Sequence, residues 1–469
     1  VDRSSFDALR RGEGTIADGL RAARRGVAKA RAVALNRSIP QYMTDVVTSV
    51  PRPARTPAST PAVRSPRRIA AFSTYPIHPR RGGGQLRGWY LADALGRRDD
   101  TEVTIVSLTT NPDLAGDHTL SDRVTEHCVL IDHGAARRET ELRLVTGDVS
   151  ITDIASGLMW PGISGFTEVA TRALDQACAA IAVQPYLIDA IDTLASGIAT
   201  VYDSHNDEVE LKATILPRHT VGGRWLERWV DDLERRASEG SVLVTTTTEV
   251  DLRTLSARYR IDATTEVIPN GVDTGDIEFI VGTARVARRQ LLDPHLGLER
   301  NRPVALFVGS GHLPNIEAGR HIVSLARQVP GVDFVLAGDH STRLGLANLP
   351  PNVHAIGAVG DDLLELLLTS STVALNPMGG GSGSNLKLFT YLAAGLPVLS
   401  TTVGTRGIDP EAAGVMTTSV GSLAAGLDAL LSEDGNERVL AGRNYVEANC
   451  DWRVIADRFA ALVVESTPS

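Results

Sequence analysis

The chain of 469 residues reads as an α/β protein made of two doubly wound parallel-sheet halves. Three observations point there. Short apolar runs, Gly-rich loops and helical segments alternate along most of the chain, which is the order that builds a parallel sheet. The alternation pauses at Ile268-Pro-Asn-Gly-Val-Asp273 and then restarts. With 43% hydrophobic and 22% charged residues, a chain of this length can bury two cores of ordinary size.

Taken in order, residues 1–66 precede the first strand and form a basic arm with a linker. Leu9, Ile16, Leu20, Ala23, Val27, Ala30 and Ala34 follow a helical spacing, while Arg10, Arg21, Arg24, Arg25, Lys29 and Arg31 fill the remaining positions. Gly12, Gly14, Gly19 and Gly26 weaken that helix. Such a helix can lie on an anionic membrane, bind a protein partner or simply be solvated, and residues 1–35 are read with all three in view. Pro51, Pro53, Pro57, Pro61 and Pro66 mark the linker.

The first half, 67–272, opens with a strand at Arg68–Ser73, the loop Tyr75–Gly84, a helix from Gln85 to Arg97 and a strand at Val103–Ser107. Strands are expected near Glu126–Ile131 and Glu141–Val145, as a hairpin insertion. A helix over Thr167–Ile181, strands at Ala199–Tyr202, Val242–Thr245 and Thr265–Ile268, and helices over Arg224–Ala237 and Glu249–Tyr259 complete it. The second half, 273–450, repeats the pattern. Its strands are Val304–Val308, Asp333–Ala337, His354–Ile356, Val373–Leu375 and Val398–Ser400. Its helices are Glu317–Gln328, Asp361–Leu368, Asn385–Ala394, Leu423–Leu431 and Asn436–Asn449. A last helix, within 451–469, carries Trp452 and is expected to cross back to the first half.

Charge and composition exclude several classes. Residues 1–68 hold 14 Lys+Arg against 5 Asp+Glu, and the rest of the chain holds 33 against 51. An acidic body of 401 residues with 4% aromatic content overall speaks against nucleic acid as a partner. Three scattered cysteines, Cys128, Cys178 and Cys450, make neither a disulfide scaffold nor a zinc site. No run approaches the roughly 18 apolar residues of a membrane span, and the first 35 residues lack the apolar core of a secretion signal. The location expected is cytoplasmic, with membrane association through the arm as an alternative.

Ligands of open α/β sheets bind at the carboxyl ends of the strands. Two Gly-rich strand-to-helix loops fall there, Gly82-Gly-Gly84 and Gly379–Ser384. Helix N-termini behind such loops can hold phosphate oxygens on free N–H groups. Neither loop has the G-x-G-x-x-G of dinucleotide binding or the Gly-Lys-Ser/Thr of NTP hydrolysis. Either cluster alone would also fit a flexible turn.

Four segments taken together resemble the retaining GT-B glycosyltransferases of glycosyltransferase family 4. They are His78-Pro79 with Gly82-Gly83-Gly84; Val201-Tyr-Asp-Ser-His-Asn206; Val267-Ile-Pro-Asn-Gly-Val-Asp273; and Ala374-Leu-Asn-Pro-Met378 with Gly381-Ser-Gly-Ser-Asn-Leu-Lys387 and Ala393-Ala-Gly-Leu-Pro-Val398. The resemblance runs over roughly residues 67–465. It implies two Rossmann-like domains facing a cleft, and transfer of a sugar from a nucleoside-diphosphate sugar to an acceptor hydroxyl with retention. It implies no metal and no cofactor beyond the nucleotide-sugar co-substrate. The second domain would bind the donor and the first the acceptor: a glycan, a lipid-linked saccharide or a small molecule.

By the same resemblance, His205 lies beside the transferred sugar and Lys387 faces the diphosphate. Donor contacts fall on Gly83, Gly84, Gly309, Ser310, Asn315, Ser382, Gly383, Ser384, Asn385 and Thr390. Arg80, Arg81 and Arg87 are acceptor-side candidates, with Arg406 a weaker cation. The chain departs from the family pattern in four places. Ser310 and Asn315 stand where Arg and Lys are usual, and Ser382 and Thr390 stand where two Glu are usual. Lys387, one of only three lysines against 44 arginines, is the cation left to offset the first loss. Asp203 and Glu208 could form an acid/base pair, though helix capping accounts for them equally. Two other functions remain open: a non-catalytic GT-B subunit that binds a partner, and a sugar-nucleotide epimerase.

Overall fold

A computed structural model describes residues 39–58, 66–98, 100–147, 149–298, 302–345, 349–380, 386–433 and 435–468, without the side chains of 293–295. The arm helix expected within 9–34 lies outside the described residues, as do Ser382, Gly383, Ser384 and Asn385. Two compact units emerge, residues up to Ile268 together with Ala456–Ser469, and Pro269–Ile455.

Unit 1 is built on eight strands in the order β3-β4-β2-β1-β5-β6-β7-β8. They are β1 Arg67–Ser73, β2 Thr101–Thr109, β3 Gly116–Ser121, β4 Val124–Leu130, β5 Ala179–Val183, β6 Ala199–Ser204, β7 Leu243–Thr246 and β8 Thr264–Val267. All pair in parallel except β3 with β4. The sheet is covered on both faces, so its central strands are continuous apolar runs.

That burial explains the first of two corrections. The helix expected over Thr167–Ile181 runs only from Phe166 to Gln176. Ala179-Ala-Ile-Ala-Val183 is instead a wholly buried strand between β1 and β6. Buried on both faces, it shows no alternation to tell it from a helix. The segment Glu141–Val145 is not a strand but the end of the helix His133–Val145, started by Asp132, whose carboxylate accepts the Ala135 N–H at 2.9 Å. The hairpin partner of β4 is Gly116–Ser121.

Helices also form at Ile39–Thr48, Thr152–Met159 and Ile188–Leu194, where no helix was expected. The first buries Tyr42, Met43, Val46 and Val47 in the unit 1 core. The described part of the Pro-rich segment follows it along the same unit. Thr56 N–H bonds Thr193 O at 2.8 Å, Ala58 N–H bonds Ser196 O at 2.9 Å, and Arg52 pairs with Asp189 at 3.2 Å.

Unit 2 has six parallel strands in the order β11-β10-β9-β12-β13-β14. They are β9 Val304–Val308, β10 Asp333–Ala337, β11 Val353–Gly357, β12 Val373–Asn376, β13 Val398–Ser400 and β14 Met416–Thr417. Alternate residues feed two cores. Val304 and Leu306 lie in one, and Ala305 and Phe307 in the other, as period-two geometry requires. The helix Leu313–Gln328 begins four residues earlier than expected, with Pro314 in its first turn. The helix Gly282–Leu296 was not foreseen. Chain order reverses between β9 and β12, so the loops leaving their carboxyl ends diverge and open the place where such sheets take ligands. Among the described residues no helix is long and apolar enough to cross a membrane.

Candidate functional site

In unit 1 the residues of interest leave the carboxyl ends of β1 and β6. His205 follows β6 directly and is 9% exposed. Its Nε2 is 3.1 Å from Asp203 Oδ2 and its Nδ1 is 3.3 Å from the Tyr75 hydroxyl. Asp203 in turn accepts from Arg87 Nε at 3.0 Å, Arg87 Nη2 at 2.5 Å and Thr245 Oγ1 at 2.8 Å. Burial opposes the Asp203 charge, but Arg87 and His205 outweigh it and hold the carboxyl well below the usual carboxylate range. Burial, reinforced by Asp203, pushes the Tyr75 hydroxyl up, so it stays protonated as a donor. A chain Arg87–Asp203–His205–Tyr75 therefore fixes the imidazole from both sides.

The loop carrying Tyr75 is pinned by buried Glu126, which accepts the N–H groups of Ile77 at 2.7 Å and His78 at 2.9 Å. Gly83 and Gly84 open the helix Gly83–Gly96 behind that loop. A Cβ on Gly84 would come within 2.6 Å of the Tyr75 oxygen, so the residue must lack a side chain for Tyr75 to reach His205. Gly82 N–H bonds Gln85 Oε1 at 2.9 Å.

The three arginines of this region part company. Arg87 is fully buried, and besides Asp203 it donates to Ile268 O at 2.7 Å. Arg80 is exposed and stacks on Trp89 at 4.1 Å from the ring centre. Arg81 is also exposed, its N–H bonded to Pro79 O. The proposed partner of Asp203, Glu208, sits in a separate buried group, where Tyr186 donates to it at 2.6 Å. Capping of the helix Glu208–Ile215 falls to Asp207.

In unit 2 the site grows from the loops after β9 and β12. Asn315, in the first turn of Leu313–Gln328, donates to Ser310 O at 3.2 Å and Ser310 Oγ at 3.1 Å. Its Oδ1 accepts from Lys387 Nζ at 2.8 Å. Lys387 extends from the helix Leu386–Ala393 over the Phe307 ring, 5.3 Å from its centre, with Met378 Sδ at 3.8 Å. Among the described residues no carboxylate lies within ion-pair distance of it. Burial pushes its pKa down to about 8. Thr390 donates its hydroxyl to Leu386 O at 3.3 Å, within its own helix.

Residues without a sequence signature complete this edge. His340 is fully buried, places Nδ1 2.7 Å from Gly309 O and meets the Phe307 ring edge-on at 4.8 Å. Burial lowers its pKa, as does Lys387, so it is neutral at pH 7 and donates from Nδ1 to the carbonyl. Among the described residues its Nε2 has no hydrogen-bond partner. Arg343 is exposed and donates to Gly311 O at 2.9 Å. These contacts join side chains some 30 residues from the loop, with no local pattern to reveal them. The structure thus groups Gly309, Ser310, Asn315 and Lys387 on one edge of unit 2, and Gly83, Gly84, His205 and Arg87 on one edge of unit 1. Among the described residues no group of three or more His, Cys, Asp or Glu could hold a metal ion.

Comparisons with known proteins fit this geometry. Residues 302–433 match the family model for Glycosyl transferases group 1. No curated protein matches the chain. Among solved structures, sucrose-phosphate synthase from Thermosynechococcus elongatus is 15% identical with a TM-score of 0.66, over 85% of this chain and 99% of that one. HepE from Anabaena, in complex with UDP-glucose, is 15% identical with a TM-score of 0.57, over 85% and 99%. Trehalose 6-phosphate synthase from Burkholderia multivorans is 15% identical with a TM-score of 0.58, over 85% and 96%. The chain accordingly has the GT-B fold, and its match to Glycosyl transferases group 1 takes in all six strands of its second unit.

Proposed function

We propose that the protein is a glycosyltransferase that moves a sugar from a nucleoside-diphosphate sugar to an acceptor hydroxyl, with retention at the anomeric carbon and without a metal. The observation that carries this is Lys387, a half-buried ammonium at the carboxyl edge of β9 and β12 that meets the Asn315 amide oxygen, Met378 Sδ and the Phe307 ring but, among the described residues, no carboxylate. A cation kept desolvated without a counterion has electrostatic stabilisation to offer an anionic ligand. As the sugar leaves, negative charge grows on the β-phosphate, and Lys387 with nearby backbone N–H groups would meet it. The family match over 302–433 supports the donor class, and the HepE structure holds a ligand of that class.

In this reading unit 1 takes the acceptor. His205, oriented by Asp203 and Tyr75, contacts the transferred sugar and positions its hydroxyls. Arg80 and Arg81 are exposed cations beside the β1 loop, suited to an acceptor bearing negative charge. A non-catalytic GT-B subunit that binds a partner is the second reading. It is favoured by Thr390, whose hydroxyl is turned to Leu386 O and brings no carboxylate to a ribose.

The test is a panel of UDP-, GDP- and ADP-sugars. Bound at 100 times its dissociation constant, the right donor stabilises the protein by about 2.7 kcal/mol. Release of the nucleoside diphosphate with acceptor mixtures then reports transfer, and Lys387→Ala should slow it at least about a hundredfold, the scale of losing one transition-state donor. Absence of any nucleotide binding would sink the transferase and favour the subunit, whereas binding lost in Lys387→Ala would favour the enzyme.

A further inference from the structure

Three consecutive carbonyls in the loop after β9 are each held by a side chain. His340 Nδ1 is 2.7 Å from Gly309 O, Asn315 Nδ2 is 3.2 Å from Ser310 O, and Arg343 Nη1 is 2.9 Å from Gly311 O. In a planar trans peptide the C=O of one residue and the N–H of the next point in opposite directions. His340 and Arg343 belong to one turn, Gly338–Leu344, so both of their carbonyls face that turn. The N–H groups of Ser310 and His312 consequently face away from it. Neither N–H has a hydrogen-bond partner among the described residues, whereas the Gly309 N–H is used by Ala337 O at 2.9 Å. The turn itself is braced. Gly338 has φ 106°, and a Cβ there would lie 2.1 Å from Gly309 O, so the two strands meet as closely as backbone allows.

Resting on the donor reading given above, we propose that this loop grips the donor's diphosphate through the Ser310 and His312 amides, with His340 and Arg343 as the positioning residues that aim them. A second observation points to an anion here. Asn315, which holds the middle carbonyl, also presents its Oδ1 to Lys387, so the uncompensated ammonium is one residue removed from the loop. Two oriented amides in a loop joined through Asn315 to an ammonium suit a phosphate, as amide nests do elsewhere. The loop thereby replaces, with backbone donors, charge that Ser310 and Asn315 do not supply.

Isothermal titration of the full chain with UDP, GDP and ADP and the corresponding monophosphates tests this. His340→Leu and Arg343→Leu should each weaken the diphosphate by about tenfold, the scale of one misaligned charge-assisted hydrogen bond. The ratio of diphosphate to monophosphate affinity should fall with them, which a general loss of folded protein does not produce. His340→Asn, whose Nδ2 can reach the same carbonyl, and Arg343→Lys should restore most of the affinity. Arg343 is exposed, so its variants keep the test alive if His340→Leu fails to fold. Wild-type affinity in both Leu variants would overturn the loop assignment while leaving the donor reading intact. Failure of the wild type to bind any of the three diphosphates would overturn both.

Discussion

At Lys387 binding and stability pull in opposite directions. Its folded pKa of about 8 lies below the ordinary 10.5. Between those values the folded chain has released a proton that the unfolded chain keeps, so stability rises with pH across that window. Below pH 8 the buried charge is a standing cost. Lys387→Met should therefore raise the thermal midpoint of the ligand-free protein at pH 7 while weakening nucleoside diphosphate at least about tenfold. A lower midpoint with wild-type affinity would contradict this. Wild-type affinity should itself decline as pH climbs past 8 and the ammonium discharges. Arg87 is the opposite kind of residue. Its guanidinium and the Asp203 carboxylate are both buried and satisfied, so Arg87→Ala strands a charge and should cost about 3–5 kcal/mol in urea unfolding.

Turns and strands govern the next level. Gly338→Ala must adopt a left-handed φ and displace the Gly309 carbonyl. It should cost more than about 2 kcal/mol, whereas Gly331→Ala, with nothing within 4 Å, should stay within about 0.5 kcal/mol. Comparison of the two midpoints checks the point. The same level decides what could be read from the chain beforehand. β1, β6, β9 and β10 were legible because each apolar run ends in Gly or turn residues. β5 was not, because small residues buried on both faces lack a period, and His133–Val145 was misread because its capping Asp132 went unweighed. Ser310, Asn315 and Lys387 were singled out only through the family resemblance. Tyr75, His340 and Arg343 escaped because each reaches its partner across the sheet edge, where spacing carries no information.

Across the whole chain, two units with separate cores should answer pH differently. In unit 1, burial and the neighbouring Asp207 push Glu234 up to about 8, against 4.5 in ordinary surroundings. A raised carboxyl pKa favours the folded state while protonated, so that stability is full below about 4.5 and is lost as pH rises through about 8. Hydrogen exchange followed by mass spectrometry should then show unit 1 loosening from pH 5 to 8, where Lys387 leaves unit 2 unchanged. Added nucleoside diphosphate should slow exchange at residues 309–313 and 386–388, and leave the Glu208–Glu234 group as it was. The scarcity of lysine adds one more consequence. Lys212 is tied to Asp153, while an amine that sheds its proton near pH 8 is a ready nucleophile. Acylating reagents applied at that pH should mark Lys387 early, and occupancy by nucleotide should shield it, turning a sparse residue into a built-in footprint of the bound state.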